Sequence, residues 1–273
     1  MSVSGFSIDW LDLRESADHR ARDKTLIEQA ILWLDDVSIP NQLPLIADLG
    51  SGTGSTIRSF DNLIAEDPKS LRWRLIDHDP TLLAEAKRRH EVSNTIELCV
   101  TDFSDIQKLP LEEVNLVTSS ALLDLVSANF IDELAQKIKH GYQSVGLYSA
   151  LNYDGTTSWA PTHPLDKAVL KTFNMDQRRD KGFGPALGPD AAKYLEKEFR
   201  TIGYKILTAK SPWLLKPSDH KLTSSLIDGI TEASLQRNEL KASEIKKWHT
   251  FRKQNVRTGS CTLGHIDLLA LPR

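Results

Sequence analysis

The chain is short of cysteine, of net charge and of long apolar runs, and each shortage excludes something. Its two cysteines, Cys99 and Cys261, cannot build a disulfide framework in 273 residues. Both sit in apolar, strand-like runs, which suits buried reduced thiols and a cytoplasmic protein. A formal charge of −3 leaves no electrostatic footprint for nucleic acid. No apolar run approaches the length of a membrane span. The start of the chain lacks a basic segment followed by an apolar stretch, so it does not read as a signal peptide. The eight histidines are scattered, and none pairs with a carboxylate at helical metal-ligand spacing. A small-molecule partner is expected, with no nucleic acid, membrane or metal, and the oligomeric state stays open.

What is present is an ordinary globular composition, 40% hydrophobic and 26% charged, long enough for one substantial domain. Residues 45–55 organise it. Leu45, Ile46, Ala47, Asp48 and Leu49 read as a buried strand ending in acid, and Gly50, Ser51, Gly52, Thr53 and Gly54 follow as a turn. Thr56, Ile57, Phe60, Leu63 and Ile64 then repeat at helical spacing. Strand, glycine turn and helix build a nucleotide pocket at the carboxyl end of a parallel strand. The third glycine of a dinucleotide fingerprint is replaced by Ser55, and the lysine of a phosphate-binding loop is missing. A tight turn with no ligand is the alternative.

Seven strand-like runs alternate with helical ones, the pattern of a doubly wound α/β sheet. Before the first run, residues 7–34 read as two helical pieces with a charged side. The second run ends at Asp77, followed by His78, Asp79 and Pro80; an acid there can accept two ribose hydroxyls or cap the next helix. The third run is followed by Asp102 and Phe103, a carboxylate beside an aromatic, with Asp105 as a rival acid. The fourth leads into Ser119, Ser120 and Asp124. The fifth ends in Asn152, Tyr153 and Asp154. Residues 152–190 and 211–258 read as two insertions over the sheet, the first carrying His163 and a glycine-rich run around Asp180. His265, in an alternating strand, reads as a packed residue.

Asp48 to Gly54, read as D-x-G-x-G-x-G, resembles the first motif of class I S-adenosylmethionine-dependent methyltransferases. The strand ends at Asp77, Asp102-Phe103 and Ser119 extend that resemblance over residues 44–151. It implies a single domain, 1–273, with a helical cap over 1–40. Its sheet would have seven mostly parallel strands, the last antiparallel, with helical lid segments. It implies S-adenosyl-L-methionine as cofactor, with S-adenosyl-L-homocysteine as product. It implies cofactor contacts from Asp48, Gly50, Ser51, Gly52, Gly54, Asp77, His78, Asp102, Phe103 and Ser119, with Arg14 on the cofactor carboxylate. The sequence after the fourth strand, Thr-Ser-Ser-Ala, disfavours the families that methylate base or glutamine amino groups. The acceptor is expected to be a small molecule, touched by Ser120, Asn152 and Asp180. Asp124, Tyr153, Asp154 and His163 are candidate bases, and Asp124 is equally well read as a first-turn helix acid. A metal-dependent site from Asp124, Asn152 and Asp154, a nicotinamide-dependent oxidoreductase and a cofactor-binding protein without catalysis are the competing readings.

Overall fold

The computed structural model describes residues 6–40, 42–64, 71–90, 95–103, 105–141 and 144–273. Two helices come first, α1 (Ile8–Ala21) and α2 (Lys24–Asp36), as the two-piece reading expects. Ser7 caps α1 by accepting the Trp10 N–H, and Asp23 caps α2 by accepting that of Leu26. A βα alternation follows: β1 (Leu45–Leu49), α3 (Ser55–Ile64), β2 (Arg72–Asp77), α4 (Pro80–Arg89), β3 (Thr95–Val100), β4 (Leu116–Ser120), α5 (Ala128–Lys139) and β5 (Gly146–Ala160). Then come α6 (Asp166–Gln177), α7 (Ala191–Thr201), β6 (Lys205–Lys210), β7 (Trp213–Leu215), α8 (His220–Arg237), α9 (Ala242–Gln254) and β8 (Ser260–Leu271).

The sheet runs β3-β2-β1-β4-β5-β8-β6. Its first five strands are parallel, and β8 lies antiparallel between β5 and β6. Helices cover both faces. Leu45, Ala47 and Leu49 of β1 pack in one core with Phe130, Leu134 and Phe199 of α5 and α7. Ile46 packs in the other, with Ile27 of α2 and Phe60 of α3. A strand buried on both sides needs apolar residues at every position, so β1 reads as an unbroken run.

The far ends of β5 and β8 run past this sandwich and carry a third core. Tyr153, Leu263 and Trp213 pack there with Val169 of α6, Leu222 and Ile227 of α8, and Trp248 of α9. Helices from both expected insertions pack around this core, together with Ala17 of α1. Two details differ from the sequence reading. Residues 152–160, expected to open a lid, continue β5 and pair with β8 through two register shifts. The second insertion opens with the three-residue strand β7, which also pairs with β8. The outer half of β5 was hidden because one of its faces meets solvent. Its polar alternation over 154–160 lacks the apolar run of a buried strand.

Candidate functional site

The turn after β1 is tight and closely covered. Gly50, Gly52 and Gly54 all take positive φ, at 65°, 53° and 81°. A Cβ at Gly52 would stand 3.0 Å from Leu11 Cδ1, and one at Gly54 only 2.8 Å from His90 Nε2. Helix α1 thus lies across the turn. Glu15 holds Arg58 of α3 at 2.8 Å, and His19 Nε2 meets the Ser55 hydroxyl oxygen at 3.1 Å.

At the end of β2, Asp77 is buried and bound to backbone. Its Oδ2 accepts the Gly52 N–H at 2.9 Å and its Oδ1 that of Asp79 at 3.0 Å. His78 is exposed, with Nδ1 3.3 Å from the same Oδ1. Asp79, rather than Asp77, caps α4, accepting the Thr81 N–H at 2.8 Å. A carboxylate offers about four lone-pair positions. Two backbone donors leave Asp77 room for further hydrogen bonds.

Asp48 lies 1% exposed at the end of β1. Its Oδ1 accepts the Thr118 hydroxyl at 2.7 Å, and its Oδ2 has no partner. Burial pushes its pKa up to about 6, against the pull of Thr118 and of the Arg22 guanidinium. Arg22 is 5% exposed. One nitrogen donates to Ser120 Oγ at 2.9 Å, while Nε and Nη1 find no partner. Ser51 Oγ and Ser119 Oγ are buried and unpartnered as well. Leu49 and Ser119 are register partners on β1 and β4, so these atoms gather at adjacent strand ends.

Arg14, the arginine expected on the cofactor carboxylate, is engaged elsewhere. It donates to Asp18 at 2.8 and 3.2 Å, and its guanidinium stacks 5.1 Å from the Trp213 ring centre. Arg22 is the arginine beside Asp48, and it was not anticipated. The i,i+4 spacing of Arg14 and Asp18 was the available warning. After β3, Asp102 is exposed, whereas Phe103 turns into the core, 6.5 Å from the Phe183 ring.

The acceptor side is where the expected residues divide. Asp124 is 8% exposed with Oδ1 unpartnered, and its carboxylate accepts the Tyr153 N–H. Burial raises its pKa to about 6, with Arg14 and Lys181 pulling it down. Tyr153 donates its hydroxyl to Asn174 Oδ1 at 2.8 Å, and burial pushes the phenol well above its usual value. Such a phenol stays neutral at physiological pH.

Four expected residues serve the fold instead. Asn152 is fully buried, donating to the Ser149 and Ile266 carbonyls and accepting from Ser149 Oγ. It holds the register shift of β5 and has no donor left. Asp154 accepts the backbone and hydroxyl of Thr156 and packs into space left by Gly264. Asp180 is exposed and accepts from Gly182 and Gly184, closing its own turn. His163 opens α6. Its N–H donates to Asp166, its Nδ1 accepts from Leu165, and its ring lies 4.9 Å from that of Phe251.

Asp267, missed by sequence reading, is fully buried and accepts four donors. These are the backbone N–H groups of Leu151 and Asp23 and the hydroxyls of Ser211 and Tyr148. It ties the α1–α2 junction, and so Arg22, to β5. Leu151, at the first register shift within β5, and Ala121, just after β4, are held in the left-handed region, at φ 56° and 49°. Non-glycine residues there store strain, a recurrent property of functional sites.

No protein-family model matches the chain, and no curated protein does. Solved structures do. The chain aligns with the YcgJ protein from Bacillus subtilis at a TM-score of 0.52 and 12% identity, over 92% of this chain and 99% of that one. What the chain shares with that protein is the fold, a mostly parallel α/β sheet with one strand set antiparallel between two others. Two other structures align at lower scores. The cyclopropane synthase MmaA2 from Mycobacterium tuberculosis does so at 0.48 and 12% identity, over 97% and 94% of the two chains. Geranyl diphosphate C-methyltransferase from Streptomyces coelicolor A3(2), held with Mg2+, geranyl diphosphate and S-adenosyl-L-homocysteine, does so at 0.44 and 11%, over 90% and 78%. At those scores neither bears on the chemistry of this chain.

Beside the glycine turn, the unpartnered atoms suit one end of the expected cofactor. A cation at Arg22 and an anion at Asp48 complement a zwitterionic amino-acid group. Each buried, unpaired polar atom costs about 1–3 kcal/mol. A ligand supplying the missing hydrogen bonds recovers that cost.

Proposed function

We propose that this chain transfers a methyl group from S-adenosyl-L-methionine to a small-molecule acceptor by in-line displacement, leaving S-adenosyl-L-homocysteine. The observation that carries the reading is the pair of unsatisfied opposite charges at the ends of β1 and β4. Asp48 Oδ2 and the Arg22 Nε and Nη1 atoms lie buried beside the glycine turn without partners. Arg22 would take the cofactor carboxylate; Asp48 and Ser119 would take its ammonium group. Asp77 and His78 would meet the ribose, and Asp102 the adenine amino group. When bound, the cofactor supplies a methyl group activated on a sulfonium.

The chain's own part is to align, to dry and to move a proton. Helix α1, pinned over the turn by Leu11, Glu15 and His19, keeps water from the strand ends. Alignment of two reactants is worth about 7–11 kcal/mol in well-oriented systems. Asp124 would accept a proton from the acceptor, and its pKa of about 6 keeps it ionised at neutral pH. The low net charge and the cap over the sheet favour a metabolite over a macromolecule. Among the described residues, no helix is long and apolar enough to cross a membrane. Cys99 and Cys261 are free thiols, in keeping with a cytoplasmic setting.

Thermal unfolding with S-adenosylhomocysteine tests the reading. Ligand at a hundred times its dissociation constant adds about 2.7 kcal/mol, roughly 5–10 °C in a chain of this size. Wild type should shift, Arg22→Gln should shift far less, and NADH should do nothing. No shift with S-adenosylhomocysteine, or a shift with NADH alone, would sink the proposal. Labelled methyl groups appearing in protein or RNA but in no metabolite would remove the small-molecule acceptor.

A further inference from the structure

Under α1 a second group of buried polar atoms lacks partners. Asp124 Oδ1, His265 Nδ1 and Trp10 Nε1 come from the loop after β4, from β8 and from α1. They share one neighbourhood. The Asp124 carboxylate accepts the Tyr153 N–H, and the Tyr153 ring lies 6.3 Å from that of His265. Arg14 acts electrostatically on both Asp124 and His265. Trp10 sits one helical turn before Arg14 and packs in the same cluster as Tyr153 and Trp213.

Beneath α1, aromatic rings pack edge to face in a chain. Centroids step from Trp213 to His265 at 5.3 Å, to Tyr153 at 6.3 Å and on to Phe173 at 5.7 Å. Such a row accepts the face or edge of a planar molecule. The polar atoms are mostly acceptors. His265 is neutral, because burial and Arg14 push its pKa down to about 3. Its Nδ1 is buried and unpartnered. Asp124 Oδ1 is the second acceptor, and Trp10 Nε1 is a lone donor. The surrounding field is not short of positive charge. Arg14 and Lys181 both act on Asp124, each already paired, with Asp18 and Asp176. An ammonium ligand would add a third cation; a neutral hydroxyl adds none.

We propose that this cluster is the acceptor site and takes a neutral hydroxy-aromatic molecule, its ring along the Trp213–His265–Tyr153 row and its hydroxyl donating to Asp124. The proposal rests on the methyl-transfer reading for its purpose and on the local geometry for its chemistry. His265 Nδ1 accepts a second donor where the ligand has one, and Trp10 Nε1 serves a polar substituent at the other end. Entry requires α1 to lift, since Trp10 and Arg14 both belong to it.

Equilibrium dialysis with three probes tests this: 2-naphthol, its methyl ether, and 2-naphthylmethylamine, each with and without saturating S-adenosylhomocysteine. A hydrogen bond to a buried carboxylate is worth roughly tenfold in affinity. Naphthol should bind at least roughly tenfold tighter than the ether, and tighter than the amine. Asp124→Asn should erase most of that preference while S-adenosylhomocysteine binding persists. Equal binding of naphthol and ether, preference for the amine, or no binding of any probe overturns the proposal. Should Asp124→Asn fail to fold, the three probes on the wild type decide alone. If S-adenosylhomocysteine fails to bind while the naphthol preference holds, the methyl-transfer reading falls and the hydroxy-aromatic site stands.

Discussion

The Asp77 carboxylate binds the Gly52 N–H at 2.9 Å, so the acid at the end of β2 clamps the glycine turn that ends β1. The same carboxylate accepts the Asp79 N–H. Removing it leaves two backbone donors in a buried setting without their charged partner. Asp77→Ala should therefore lose about 3 kcal/mol before any ligand is considered, lowering Tm by roughly 5–10 °C. Asp77→Asn keeps one acceptor oxygen and should fall between. Urea unfolding of the three proteins checks this. A loss under about 0.5 kcal/mol in Asp77→Ala would mean the clamp is decorative.

Asp48 should trade stability for binding. Its folded pKa, about 6, stands above the ordinary carboxyl value of 3.8. The folded state therefore holds a proton the unfolded state has released between those values, and stability falls as pH rises through that window. The full penalty, at most about 3 kcal/mol, is present above pH 6 and absent near pH 4. Asp48→Asn keeps an oxygen for Thr118 and carries no charge. It should be more stable than wild type at pH 8, match it near pH 4, and bind S-adenosylhomocysteine more weakly. Denaturant titrations at the two pH values decide; a difference that does not vary with pH would refute the assignment.

Gly52 and Leu11 should behave as a pair. A methyl group at Gly52 meets Leu11 Cδ1 at 3.0 Å in a left-handed backbone. Gly52→Ala should cost about 1–3 kcal/mol, part strain and part collision. Leu11→Ala in the same chain should recover the collision part, giving a coupling of at least about 0.5 kcal/mol. Strict additivity in a double-mutant cycle would show that α1 does not press on the turn.

Much of the architecture was legible because it is written locally. A strand buried on both faces shows as an apolar run, and its end shows as an acid before glycines or proline. Asp48, Asp77 and the turn between 50 and 54 fall at the strand ends for that reason. Side chains that merely close their own turns were less legible. Asp154, with Thr156, and Asp180, with Gly182 and Gly184, carry the same composition as binding residues. Only their hydrogen bonds tell the two apart.

The sequence by itself determined the alternation of strands and helices, the glycine turn, the capped helices α1 and α2 and the acids that end the early strands. Each follows from residues within a few positions of one another. Tertiary structure alone decided which arginine stands beside Asp48. Arg14 and Arg22 lie on one short stretch. Spacing within α1 pairs Arg14 with Asp18, but only the path of α1 over the sheet stacks Arg14 on Trp213 and leaves Arg22 against Ser120. It also decided that Phe103 turns inward, that β5 runs on to Ala160, and that Asp267 gathers donors from three distant segments. These depend on which chains meet across the fold, and no local pattern encodes that.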